Sequence, residues 1–249
     1  MRLTVRAEEV MTPRSQLRCA TRDAEAQVLA EKNNFDAVPL LRRGGLVAEF
    51  WSRADGQSAR ITRRHRVAHD TLLEHLLRPL GEHLIQFVYY RSELVGLIDA
   101  SDLNKPIARL AWLQPMLELE RAILEAVRLA GIDDERQAKA LGTDAASTRR
   151  RQAKAKRHDL GLPLLEFAQF SPLLRAAGNL SIVRLDSKEI SELNDFRNRA
   201  AHGARERVID DRKDCERLLC AIGIAREATQ SAGRQVRSVL RESNNGVTA

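Results

Sequence analysis

The sequence predicts an α+β protein whose residues 1–107 alternate helix and strand and whose residues 108–249 are all helix. Three observations carry this. "DAEAQVLAEKN" from Asp23 and "DTLLEHLLRPL" from Asp70 each set an acid ahead of apolar residues at helical spacing, as a capped amphipathic helix does. Each is followed by a strand, a turn and a strand: "AVPLL", "RRGG" and "LVAEF" in the first copy, "IQFVYY", "RSE" and "LVGLI" in the second. Superposing Leu46-Val47 on Leu94-Val95 relates the copies by 48 residues, so the first part is expected to be a twofold internal repeat. Beyond Lys105-Pro106 the alternation stops, and "IARLAWLQPMLELERAILEAVRLAG" repeats its apolar residues every three or four positions until Gly131.

The helical part is expected to hold helices at 114–130, 133–157 with a break near Gly142, 163–177, 187–202 and 205–231, followed by a polar tail, "RESNNGVTA". With 249 residues, 43% of them hydrophobic, the chain can build a core for one large or two modest domains. Its apolar runs are too short to cross a bilayer, and "MRLTVRAEEV" has no signal-peptide run. A soluble, cytoplasmic protein without a membrane partner is expected. Cys19, Cys215 and Cys220 lack any metal-ligand spacing and read as buried or inert thiols. His65 and His69 have the spacing of a helical metal pair, but "ITRRHRVAHD" reads as strand and turn and supplies no third ligand, so no metal site is expected.

The formal net charge is +7, with arginine outnumbering lysine, which suits bidentate phosphate recognition. In "AASTRRRQAKAKRHD", Arg149, Arg150, Arg151, Lys154, Lys156 and Arg157 occur with no acid until Asp159. This run reads either as an RNA-backbone footprint or as a solvated helix face.

"LNDFRNRAAHG", Leu193 to Gly203, holds the residues with the most chemistry. Asp186 or Ser187 with Glu189 signals a helix start, and Gly203 after His202 signals its stop. At about 100° per residue, Ile190, Leu193, Phe196, Ala200 and Ala201 share one arc, and Arg197 falls in its middle. A buried guanidinium is costly unless paired, so Arg197 demands an internal carboxylate, a subunit interface or a bound phosphate. The opposite arc carries Ser191, Asp195, Asn198 and His202, spaced so that Asn198 can reach the imidazole one turn later. A histidine and an arginine together can move protons and neutralise a phosphorane, which is what cleavage of RNA by its own 2′-hydroxyl needs, with no cofactor or metal.

Two family resemblances extend this reading. The order of elements over residues 8–107, with "VMTPRSQL", "DAVPLL" and "LVGLIDASDL", resembles a tandem pair of CBS domains. That resemblance implies an adenine nucleotide as a regulatory ligand, its ribose held by an Asp three residues after a hydroxyl residue. The second repeat keeps Asp102 but has Asp99 in the hydroxyl position; the first has Trp51 and Ala54 there, with Asp55 one place late. One degenerate nucleotide site and a pure dimerisation scaffold are both open readings. The segment "FRNRAAHG", on the fourth of about five helices in a basic domain, resembles the HEPN superfamily. Its ribonuclease members carry Arg, a polar residue and, a few residues later, His, and Arg197, Asn198 and His202 match these positions. The resemblance implies a CBS-regulated, metal-independent endoribonuclease acting as a homodimer on RNA. The competing reading is a non-catalytic nucleotide sensor or dimerisation protein in which Arg197 forms an interface ion pair.

Overall fold

A computed structural model describes residues 3–42, 46–83, 85–156, 162–202 and 207–245 of the chain. The protein is α+β, with two small sheets in its first half and helices throughout the described residues of its second. It divides into two compact units, Met1–Ala111 with Gly203–Leu219, and Trp112–His202 with Cys220–Ala249. The units therefore do not follow a single boundary at residue 107, because a later stretch of chain returns to the first unit.

In the first unit α1 (Ala7–Val10) and β1 (Thr12–Pro13) lead into α2 (Asp23–Asn33), β2 (Ala37–Leu41), β3 (Val47–Ser52) and β4 (Gln57–Arg60). The second copy follows as β5 (Arg66–Ala68), α3 (Leu73–His83), β6 (Ile85–Tyr90) and β7 (Glu93–Asp99). The sheet orders are β2-β3-β4 and β1-β7-β6-β5. The repeat extends to backbone detail. Ala20 forms a parallel bridge to Leu40 as β5 pairs in parallel with β6, and the bulge at Leu40/Leu41 recurs 48 residues later at Val88/Tyr89. The alternation of β3 sends Trp51 to a cluster with Ala26, Ala30, Val38 and Leu40, and Phe50 to a cluster with Phe87 and Leu97. The helices do not keep the 48-residue offset. Leu73 N–H donates to Val5 C=O and Leu72 bridges to Arg6, so Thr71 and Leu72 stay outside the helix and α3 begins three residues after Asp70.

Gly96 is required where β1 crosses β7. A Cβ there would stand 2.5 Å from Met11 Sδ and 2.8 Å from Thr12 C=O. The returning segment is tied by Asn104, whose Oδ1 accepts from Val208 N–H (2.6 Å) and Ile209 N–H (3.0 Å) while its Nδ2 donates to Ile209 C=O (2.7 Å). Every hydrogen-bonding group of that amide's carbonyl side is thus used, and no local sequence pattern announces a contact over 104 residues.

The helices of the second part are α4 (Pro106–Leu129), α5 (Asp134–Leu141), α6 (Ala145–Lys156), α7 (Phe170–Asn179), α8 (Ser187–Ala201) and α9 (Arg212–Asn245). Four boundaries differ from expectation for identifiable reasons. Pro106 opens α4 eight residues early, where a missing N–H costs nothing, and Pro115 lies inside the helix. Residues 164–167 form a separate 3-10 turn, held by Leu164 N–H on Asp134 and Leu165 N–H on Gln137. The 205–231 helix starts only at Arg212, where Asp211 accepts from Asp214 N–H at 2.9 Å. Residues 241–245 of the expected tail continue that helix.

Cys215 is fully buried, whereas Cys220 on the same helix is exposed. Burial, with Asp214, Asp211 and Glu216 nearby, pushes the Cys215 thiol up to about 12. Iodoacetamide at pH 8 is expected to alkylate Cys220 in the native protein and Cys215 only in denaturant, as read by peptide mass spectrometry. Native alkylation of Cys215 at a similar rate would contradict its burial.

Candidate functional site

The helix α8 presents the Arg, Asn and His residues. Asp186 caps it: its Oδ1 accepts from Glu189 N–H and Glu189 Oε2 accepts from Asp186 N–H, both at 2.8 Å. Ile190, Leu193, Phe196 and Ala200 are buried on one face; Ala201, expected among them, is exposed. Arg197 is half-buried beside that face, and its Nε is shielded from solvent without a hydrogen-bond partner. Arg197 Nη1 donates a long bond to Asn198 Oδ1 at 3.4 Å, so Asn198 engages the arginine and not the imidazole. No carboxylate pairs with Arg197 among the described residues. Asp195 instead pairs with Arg199 at 3.5 Å, and the Arg199 guanidinium lies 5.5 Å from the Phe196 ring centre.

His202 is the C-terminal cap, its N–H donating to Asn198 C=O at 2.8 Å, and its residue is exposed. Five helical residues separate it from Arg197, about 140° around the axis. One α8 helix therefore offers a partly buried cation and an accessible imidazole on different sides. Residues 203–206, including Gly203, lie outside the described residues.

The basic run lies on α6, and its members have different surroundings. Arg150 and Lys154 are exposed, and Arg149 is exposed with an ion pair to Glu135 at 2.9 Å. Arg151 is half-buried, donating through Nε to Phe167 C=O at 2.7 Å, a role in packing that a charge count does not reveal. The Lys156 side chain and Arg157 lie outside the described residues. Sequence reasoning missed Arg136 and Lys139 on α5, which with Arg149 line an open cleft of about 710 Å³. Both sit among acids in "DDERQAKA", where no run of like charge marks them.

In the first unit, Asp102 is only 4% exposed and both its oxygens are engaged. Oδ1 stands 2.7 Å from Lys105 Nζ and accepts from the Thr12 hydroxyl at 3.4 Å, while Oδ2 accepts from Asp99 N–H at 2.9 Å. Asp99 Oδ1 accepts from the Ser101 N–H and hydroxyl and from Asp102 N–H. Trp51 and Ala54 offer no counterpart, and Asp55 accepts from Ser52 at 2.6 Å. Burial first, then the Asp99 carboxylate, raises the pKa of Asp102 against the opposing pull of Lys105. The native state thus holds the Asp102 proton more tightly than the unfolded chain. Its stabilising contribution is complete below the ordinary carboxylate value and is lost as pH rises through the raised one. In urea unfolding, the stability of wild type relative to Asp102→Asn is expected to fall across that window. A rise would refute the desolvated environment.

His65 and His69 do not converge. The His65 ring stacks edgewise on Phe50 and His83, whereas His69 bonds Glu8 at 2.9 Å and packs against Tyr90. Among the described residues no three metal-ligating side chains cluster, and no helix is long and apolar enough to cross a membrane.

No family model matches the chain, and no curated protein matches it. Among solved structures, an uncharacterized conserved protein from Pyrococcus horikoshii is similar over 41% of this chain and 92% of that one, at 19% identity with a TM-score of 0.35. A likeness of that degree carries no argument about fold or function.

Proposed function

We propose that the chain is a metal-independent endoribonuclease that cleaves RNA through its own 2′-hydroxyl, with the α8 residues as its centre. The observation that supports this is Arg197. Its Nε is buried without a partner, no described carboxylate neutralises it, and an accessible imidazole follows on the next turn of the helix. A phosphodiester supplies the missing acceptor. In the proposed reaction the 2′-oxygen bonds to phosphorus as the bond to the 5′-oxygen breaks. His202 moves protons between these oxygens, Arg197 meets the phosphorane charge, and Asn198 steadies the guanidinium. The HEPN-like Arg, Asn, His pattern supports the same roles. Because Arg197 and His202 diverge by about 140°, the centre is proposed to form where α8 helices of two copies meet, as a homodimer.

For the first unit, CBS-like regulation by an adenine nucleotide places the ribose at Asp102. That carboxylate is already committed to Lys105, Thr12 and the Asp99 amide, so this geometry favours the repeat as a dimerisation scaffold. The deciding experiment incubates the purified protein with mixed RNA in EDTA. Cleavage is expected, with 2′,3′-cyclic phosphate ends. Activity that vanishes in EDTA would overturn the mechanism. Intact RNA in both EDTA and magnesium would leave Arg197 to the non-catalytic reading, an ion pair across a subunit interface.

A further inference from the structure

We propose that α5, the turn after it and α6 form a helix-turn-helix that binds duplex DNA, with the exposed face of α6 in the major groove. This inference uses other side chains than the Arg197 centre and does not rest on the ribonuclease reading. The construction of the segment carries it. A short helix, Asp134–Leu141, ends at Gly142, whose φ of +57° makes the sharp turn that side-chain-bearing residues resist. A 3-10 turn over Gly142–Asp144 leads directly into α6. Two helices joined by a turn of about three or four residues containing glycine are the frame that places a second helix in a DNA groove.

The frame is braced from its inner side. Ala138, Leu141 and Thr148 are buried, and the Thr148 hydroxyl donates to Asp144 C=O at 2.9 Å. Gln152 is buried too and donates to Asp134 at 3.0 Å, joining α6 to the start of α5. The third helix, α7, holds the turn through Asn179 Nδ2 on Ala140 C=O (2.8 Å) and Arg175 on Asp144 (2.8 Å). What remains outward is one face of α6: Ala146, Arg149, Arg150, Ala153 and Lys154, all exposed and spaced at helical intervals. Two alanines let the helix axis approach closely, and three cations flank them without an acid on that face.

Arg136 and Lys139 extend the positive surface onto α5, where the first helix of such a frame crosses the phosphate backbone. The Arg149–Glu135 pair is solvent-exposed, and a phosphate can replace its partner at little cost. The choice of DNA follows from dimensions. A helix about 10–12 Å across fits the B-form major groove, about 12 Å wide, whereas the deep, narrow major groove of duplex RNA excludes it.

The test uses the full-length His202→Ala chain, so that RNA probes survive. Fluorescence anisotropy is measured with duplex DNA, duplex RNA and single-stranded RNA of one mixed sequence, at about 50 mM and about 200 mM salt. Tightest binding to duplex DNA is expected, weakening ten-fold or more at the higher salt. Ala146→Glu places a carboxylate on the exposed face without touching the core. It is expected to cost ten-fold or more in DNA affinity with circular dichroism and melting unchanged. Selection from a random duplex library should yield a preferred site whose definition relaxes in Arg150→Ala. Tighter binding to either RNA, or DNA binding indifferent to Ala146→Glu, would overturn the proposal. Neither result bears on cleavage by wild type in EDTA, so this proposal and the ribonuclease reading fail independently.

Discussion

Replacing His202 by alanine is expected to lower RNA cleavage by about 10²- to 10⁴-fold, the range that a positioned proton-transfer group contributes. Melting should be unchanged, because the residue is exposed at a helix end and, among the described residues, its hydrogen bond is made by its backbone N–H. Arg197→Ala should match that loss through the phosphate and also remove the cost of a buried, unpartnered Nε. If two copies share a centre, mixing the Arg197→Ala and His202→Ala chains separates the arrangements. One arginine from each chain with the histidine of the other restores part of the activity in the mixed dimer; a single centre using both pairs restores none. A fully active monomer would refute sharing, and undiminished cleavage by His202→Ala would remove α8 from the chemistry.

The second large effect concerns stability. Phe196 is 1% exposed and adjoins Arg197 on the buried face of α8, so Phe196→Ala is expected to cost about 3–5 kcal/mol. For a chain of this size the melting midpoint should drop by roughly 6–20 °C. Ala201→Ser, on an exposed position of the same helix, should be close to neutral. A loss below about 1 kcal/mol for Phe196→Ala would contradict the packing that sets the direction of Arg197.

Features written in short-range pattern were legible in the sequence. The 48-residue repeat showed in its paired strand, turn and strand segments and reappears as matched bulges; the α8 cap sits where Asp186 and Glu189 place it. The break at Gly142 was legible too, since glycine is the residue that tolerates that turn. Features set by distant partners were not. Nothing near Asp70 shows that residues before α3 pair with Val5 and Arg6, and nothing near Asp211 shows that Val208 and Ile209 belong to Asn104. The same holds for the candidate sites. The Arg197, Asn198 and His202 spacing could be read directly, but the commitment of Asp102 to Lys105 and Thr12, and of Arg151 to Phe167, depends on tertiary neighbours.

The bond between Asn104 and residues 208–209 also sets a clock. At a synthesis rate of about 5–20 residues per second, Val208, 104 positions after Asn104, takes roughly 5–20 s to follow it out of the ribosome. For that interval the first unit exists without its last strip of chain, and the whole Trp112–His202 stretch emerges before the strip arrives. The nascent repeat therefore waits, incomplete, while the helical unit is made. A chain cut after residue 111 reproduces that waiting state permanently, whereas one ending at residue 219 is the shortest that carries every residue of the first unit.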